Sequence, residues 1–205
     1  MFESVKQSEK GKTMRKIKIH LTLFAIPALI VCAILLSPTS GYTAEPPKKD
    51  PGYLYAIRGG VLIHDINILG HSEESGADFN LEALFVSPDW LEWLWAPHPH
   101  LGIAIHSQDD TNQIYSGLTW EKVFSNNFFI NLSLGLTLHD GTRKTSEHNE
   151  KELGSDLLFR EALEFGYQIK QHQSLSIFFF HISNAGIYSE NDGMNHLGLR
   201  YGYTF

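Results

Sequence analysis

Over residues 53–205, apolar side chains recur at every second position, and the runs are separated by short polar stretches rich in turn formers. The clearest run is Phe128, Ile130, Leu132, Leu134, Leu136 and Leu138, interleaved with Asn131, Ser133, Gly135 and Thr137. A period of two is the signature of a strand, because successive side chains point to opposite faces. Eight such segments are predicted: 53–64, 78–87, 98–107, 112–124, 128–139, 156–169, 173–184 and 195–205. Most reach the roughly ten residues that a tilted strand needs to cross a bilayer.

One face of these strands is apolar and the other is small or polar. That pattern predicts an all-β chain, an eight-stranded antiparallel transmembrane β-barrel of the outer membrane, crossing it with every strand. Glu82, Glu121, Arg160, Glu164 and Arg200 are expected to include inward members of an ion-paired interior. An even strand number brings both chain ends to one side, with short turns there and longer loops opposite. Connections 65–77, 140–155 and 185–194 are long and polar, whereas 125–127 and 170–172 are short. The connection 88–97 departs from this rule. Its Trp90, Trp93 and Trp95 fit either an interfacial aromatic cluster or a short helix capping the barrel floor. The last segment alternates Leu197, Leu199, Tyr201, Tyr203 and Phe205 with His196, Gly198, Arg200, Gly202 and Thr204, the form of an outer-membrane assembly signal.

The amino-terminal part is different. Arg15, Lys16 and Lys18 precede an apolar run over 21–36, followed by small and turn-forming residues. This is the layout of a secretory signal peptide. It is assigned to 1–44, with Met14 an alternative start, and 45–52 forms a Pro-rich linker to the barrel domain, 53–205. An exported barrel needs the barrel-assembly machinery as a partner.

Charge and composition narrow the function. Residues 45–205 hold 10 basic and 21 acidic side chains, which argues against nucleic-acid binding. The single cysteine, Cys32, lies in the leader, so neither a disulfide framework nor a thiolate zinc site is expected. Histidines are plentiful: His98 and His100 straddle Pro99, and His64, His71, His106 and His139 sit at strand ends. No spacing among them matches a metal helix or loop motif, so no metal and no cofactor is expected.

The chemistry-bearing segment is His181-Ile182-Ser183-Asn184-Ala185-Gly186. His181 and Ser183 share the parity of Leu175, Ile177 and Phe179, the lipid-facing side. Asn195 shares the lipid-facing parity of the next strand. All three are predicted to meet on the outer wall near the long-loop end. A hydroxyl beside an imidazole is the minimum for nucleophilic acyl transfer. The alternative is that these residues only mark where the wall leaves the membrane.

The run His181–Gly186, followed by Asn191-Asp192-Gly193 and the terminal Arg200-Tyr201 and Phe205, resembles the signature of the PagL family of outer-membrane lipid A 3-O-deacylases. Pro99–Gly102, Tyr115–Trp120, His139–Gly141 and Leu158–Ala162 resemble the longer relatives known as acyloxyacyl hydrolases. The resemblance implies a membrane-facing Ser-His-Glu triad on an eight-stranded barrel, with lipid A of lipopolysaccharide as substrate. Carried over by position, Ser183 is the nucleophile and His181 the base. Asn191 and backbone amides near Gly186 are oxyanion-hole candidates, and Asn184 and Ala185 complete the motif. The family's glutamate falls on Asn195, which can orient a histidine but carries no charge. Glu190 and Asp192 are nearby substitutes. Two other readings stay open: a structural or binding barrel that lost catalysis with Asn195, and a lipid acyltransferase. A polar patch on the wall could also serve a homodimer.

Overall fold

The computed structural model describes residues 52–68, 74–108, 110–145 and 150–205. The signal-peptide and Cys32 assignments, His71 and the linker up to residue 51 lie outside the described residues. Eight antiparallel strands follow in order: β1 (Leu54–Ile63), β2 (Ala77–Phe85), β3 (His98–His106), β4 (Gln113–Val123), β5 (Phe128–His139), β6 (Leu157–Lys170), β7 (Gln173–Ser183) and β8 (Met194–Thr204). Each pairs with its sequence neighbour, and β8 pairs back onto β1, closing the barrel. Closure removes the unpaired edges that an open sheet would expose.

Outward positions remain apolar and uncovered in every strand. Phe79, Leu101, Leu136, Phe165, Ile177 and Leu199 are examples, the last 67% exposed. A continuous apolar wall of this kind is what lipid, rather than water, solvates. The connections after β1, β5 and β7 lie at one end and the short turns after β4 and β6 at the other, where the longer β2–β3 connection is the exception. The connection between β2 and β3 holds a 3₁₀ helix, Asp89–Leu94, whose Leu91 is buried while Trp90, Trp93 and Trp95 stay exposed. Trp120 Nε1 donates to Leu94 O at 2.8 Å and pins this helix to β4. The segment is therefore a short helix, and its three tryptophans are solvent-exposed in the structure.

The interior is a network of charges. Arg58 donates to Glu164 Oε2 at 2.9 Å and to Glu121 Oε2 at 2.6 Å, and Arg200 Nη2 donates to Glu82 Oε1 at 2.7 Å. Ser176 and Asn131 add hydrogen bonds to Glu164. Arg160 lies between aromatic faces, 3.7 Å from the Tyr115 centroid and 4.4 Å from that of Phe180. The inward reading of Glu82, Glu121, Arg160, Glu164 and Arg200 holds; Arg58 joins them. An apolar cluster of Leu62, Leu153, Leu158, Phe178, Phe180, Ile182 and Met194 fills the rest.

Close strand approach depends on glycine at particular points. Gly117 opposes Gly135 across β4 and β5, and a Cβ on Gly117 would sit 2.2 Å from Leu134 O. Because that contact is with backbone, it has no side chain that could move aside.

Candidate active site

Strand β7 ends in His-Ile-Ser, with alternation sending Ile182 to the apolar interior and His181 and Ser183 outward. The register puts Asn195 of β8 opposite His181 and the exposed Phe159 of β6 opposite Ser183. The three residues predicted to meet on the outer wall thus lie on neighbouring strand positions at the long-loop end. His181 and Ser183 are nevertheless buried, at 5% and 7% exposure. Part of the cover comes from the loop between β7 and β8: a Cβ on Gly193 would lie 2.9 Å from His181 Cε1.

Asn195 Oδ1 lies 2.8 Å from His181 Nδ1. A carbonyl oxygen only accepts, so Nδ1 carries the proton and Nε2 is the basic nitrogen of the neutral ring. That is the tautomer a general base requires.

Asn184 organises the loop. Its Nδ2 donates to Leu153 O at 3.0 Å and Glu190 O at 2.6 Å, and its Oδ1 accepts from Gly186 N at 2.9 Å. Its own amide donates to Asn191 Oδ1 at 2.9 Å, which fixes the Asn191 side chain with its NH2 end as the donor side. Ala185 and Gly186 both take left-handed backbone conformations, φ 55° and 76°, giving the sharp exit from β7. The Gly186 amide is therefore engaged within the loop by Asn184.

Neither proposed substitute acid is set up to serve His181. Glu190 bonds Ser189 and Lys144, the latter at 3.0 Å, and those contacts hold its pKa down at about 2. Asp192 Oδ2 accepts the Glu152 amide at 2.7 Å. A different carboxylate stands next to His181. Glu161 of β6 is its register partner on the side opposite Asn195. Its Oε2 is buried without a hydrogen-bond partner among the described residues. The sequence reading passed over it, although it interrupts the outward series Leu157, Phe159, Leu163, Phe165 and Tyr167 of β6. A charge at one position of an otherwise lipid-facing series was the available signal.

The family model for lipid A 3-O-deacylase (PagL) matches residues 79–204, from β2 through β8 and across the whole site. The chain belongs to the PagL family. Among solved structures, this PagL-family chain is similar to the crystal structure of the outer membrane enzyme PagL. The identity is 18% and the TM-score 0.53, covering 72% of this chain and 99% of that one. Neisserial surface protein A follows at 10% identity and TM-score 0.46, covering 75% and 98% of the two chains. The Yersinia pestis outer membrane protein Ail stands at 11% and 0.44, covering 75% and 100%. No curated protein matches the chain in sequence. At 18% identity the likeness to the PagL crystal structure carries the barrel architecture, and family membership rests on the model match.

Proposed function

We propose that this PagL-family barrel is an outer-membrane hydrolase that removes the 3-position acyl chain of lipid A through Ser183 and His181. The observation that carries the reading is the 2.8 Å contact between His181 Nδ1 and Asn195 Oδ1, on the outward face two residues from Ser183. A substrate that diffuses within the outer leaflet meets such a face laterally, with its acyl chains against the wall.

In the reaction, His181 Nε2 takes the Ser183 hydroxyl proton as Oγ attacks the ester carbonyl. The oxyanion that forms needs fixed donors, a role assigned in this reading to the Asn191 NH2, whose Oδ1 is held by the Asn184 backbone amide. Collapse expels the sugar's 3-hydroxyl, which receives the proton from His181, and leaves acyl-Ser183. Water, deprotonated by His181, then releases the fatty acid. Imidazolium forms in both halves. Asn195 orients the ring without offsetting its charge, and Glu161 supplies the negative charge from the other side. Cross-strand partners have Cβ atoms about 5 Å apart. At that range and in a partly exposed setting, one unit charge is worth about 1–2 kcal/mol.

Production of the full chain and of Ser183→Ala in cells lacking any lipid A deacylase, with mass spectrometry of extracted lipid A, tests the reading. Loss of one hydroxyacyl chain with the wild type alone is expected. Unchanged lipid A from a folded wild-type barrel overturns it and leaves the non-catalytic barrel. Transfer of the chain to another lipid points to the acyltransferase.

A further inference from the structure

The interior beneath the long loops holds a second polar cluster, separate from the outward site. His64 directly after β1, Asp78 of β2 and His106 at the end of β3 bring one ligand atom each to within 4.8 Å of one another. All three are buried, at 2%, 0% and 3% exposure. We propose that His64, Asp78 and His106 form a binding site for one divalent transition-metal ion, zinc by its donor set, clamping the ends of the first three strands.

Two observations point to a ligand. The first is His106. Its Nδ1 accepts the Asp110 amide at 3.0 Å, while its Nε2 is buried with no hydrogen-bond partner among the described residues. Residue 76 is a glycine with φ +141°, and a Cβ there would lie 2.3 Å from that Nε2. Only a residue without a side chain leaves the space in front of this nitrogen open. The second is that each of the three ligands already has an outer partner. His64 Nε2 meets Glu74 Oε2 at 2.9 Å, and Glu74 is held by Thr111 Oγ1 at 2.9 Å and the Lys151 amide at 3.1 Å. Asp78 Oδ2 meets His196 Nε2 at 3.0 Å. His106 Nδ1 lies 3.5 Å from Asp110 Oδ2. Carboxylate partners behind ligating imidazoles fix ring orientation and raise ligand basicity, the usual outer shell of a metal site.

The binding step follows from these contacts. His64 Nδ1 and Asp78 Oδ1 are 2.8 Å apart and share a proton. The ion takes that proton's place, the proton leaves to solvent, and the two atoms part to about 3.4 Å, the edge of a tetrahedron with bonds near 2.1 Å. His106 binds through Nε2 while its ring proton moves to Nδ1, which gives up the Asp110 amide it accepts and donates instead to Asp110 Oδ2, 3.5 Å away. Two imidazoles and one carboxylate suit zinc, cobalt or nickel rather than calcium or magnesium, which take oxygen sets. The fourth position is left to water. The sequence expectation of no metal rested on local spacing motifs, and these ligands come from three separate strand ends.

The test uses the full barrel, folded in detergent and stripped with chelator, and Co2+ alone as the first probe. Visible d–d bands saturating at one ion per chain are expected, with Zn2+ displacing Co2+. His106→Ala and Asp78→Asn are expected to weaken binding on the order of a hundredfold or more, whereas His172→Asn at the opposite end leaves it unchanged. Heat-modifiable migration reports folding of each variant. X-ray absorption of the zinc-loaded wild type, which needs no variant, is expected to show two imidazole ligands. Absence of bands in the folded wild type, equal binding by folded His106→Ala, equal weakening by His172→Asn, or a zinc shell without imidazole each overturns the proposal.

Discussion

Asn195 places its side-chain oxygen 2.8 Å from His181 Nδ1. In the reaction proposed above, this amide orients the imidazole and carries no charge, so orientation and charge become separable contributions. Asn195→Ala frees the imidazole to take the wrong tautomer and is expected to lower lipid A deacylation on the order of a hundredfold or more. Asn195→Glu restores the negative partner and is expected to raise turnover about tenfold or more. Mass spectrometry of lipid A from cells expressing each variant at matched levels reads both outcomes.

Glu161 gives a sharper prediction, since it flanks His181 on the other strand. Glu161→Gln keeps the shape and removes the charge. Deacylation is expected to fall about tenfold in the wild-type background, consistent with a charge acting across neighbouring strands. In an Asn195→Glu background the same change is expected to matter much less, because His181 then has a closer anion. An equal loss in both backgrounds would assign Glu161 a structural role.

The interior ion pairs make a stability prediction independent of catalysis. Arg200 and Glu82 are both essentially inaccessible and meet at 2.7 Å. Removing one partner leaves the other charge buried and uncompensated, at a cost of about 3–5 kcal/mol. Arg200→Met is therefore expected to shift urea unfolding in detergent strongly downward. The double variant Arg200→Met with Glu82→Met is expected to recover much of that loss.

Glycine positions divide by what a methyl group would meet. Gly117→Ala drives a Cβ to 2.2 Å from the Leu134 carbonyl, a backbone contact that only strand separation relieves. Loss of the heat-modifiable folded form is expected. A Cβ on Gly59 meets nothing closer than Asn80 O at 3.5 Å. Gly59→Ala is expected to assemble normally, within about 1 kcal/mol of wild type.

The floor helix offers an optical test. Trp90, Trp93 and Trp95 are exposed, and indole rings partition to the membrane interface. Brominated lipids carrying the halogen near the headgroup are expected to quench tryptophan emission more than those brominated deep in the chain. Replacing these three residues with phenylalanine should remove most of that difference.

Alternation, which needs only neighbouring residues, made the eight strands, their inward and outward faces and the loop asymmetry readable from the chain alone. A one-residue slip would invert every face, so the pattern determines register parity without any tertiary information. The same parity placed His181, Ser183 and Asn195 on one outward surface, and the composition of the interior followed from the charges left on the other face. The partners of those residues were decided only by the closed barrel. Glu161 stands opposite His181 because β6 pairs with β7 at that register, across a separation of twenty residues. Glu190 and Asp192 are close to Asn195 in sequence but engage Lys144, Ser189 and Glu152 instead. His64, Asp78 and His106 come together through the register of three successive strands: Asp78 pairs directly with His106, and His64 follows Ile63, the partner of Ala77. Sequence spacing records contacts made along one element; contacts across strands depend on shear and register, which local pattern does not encode.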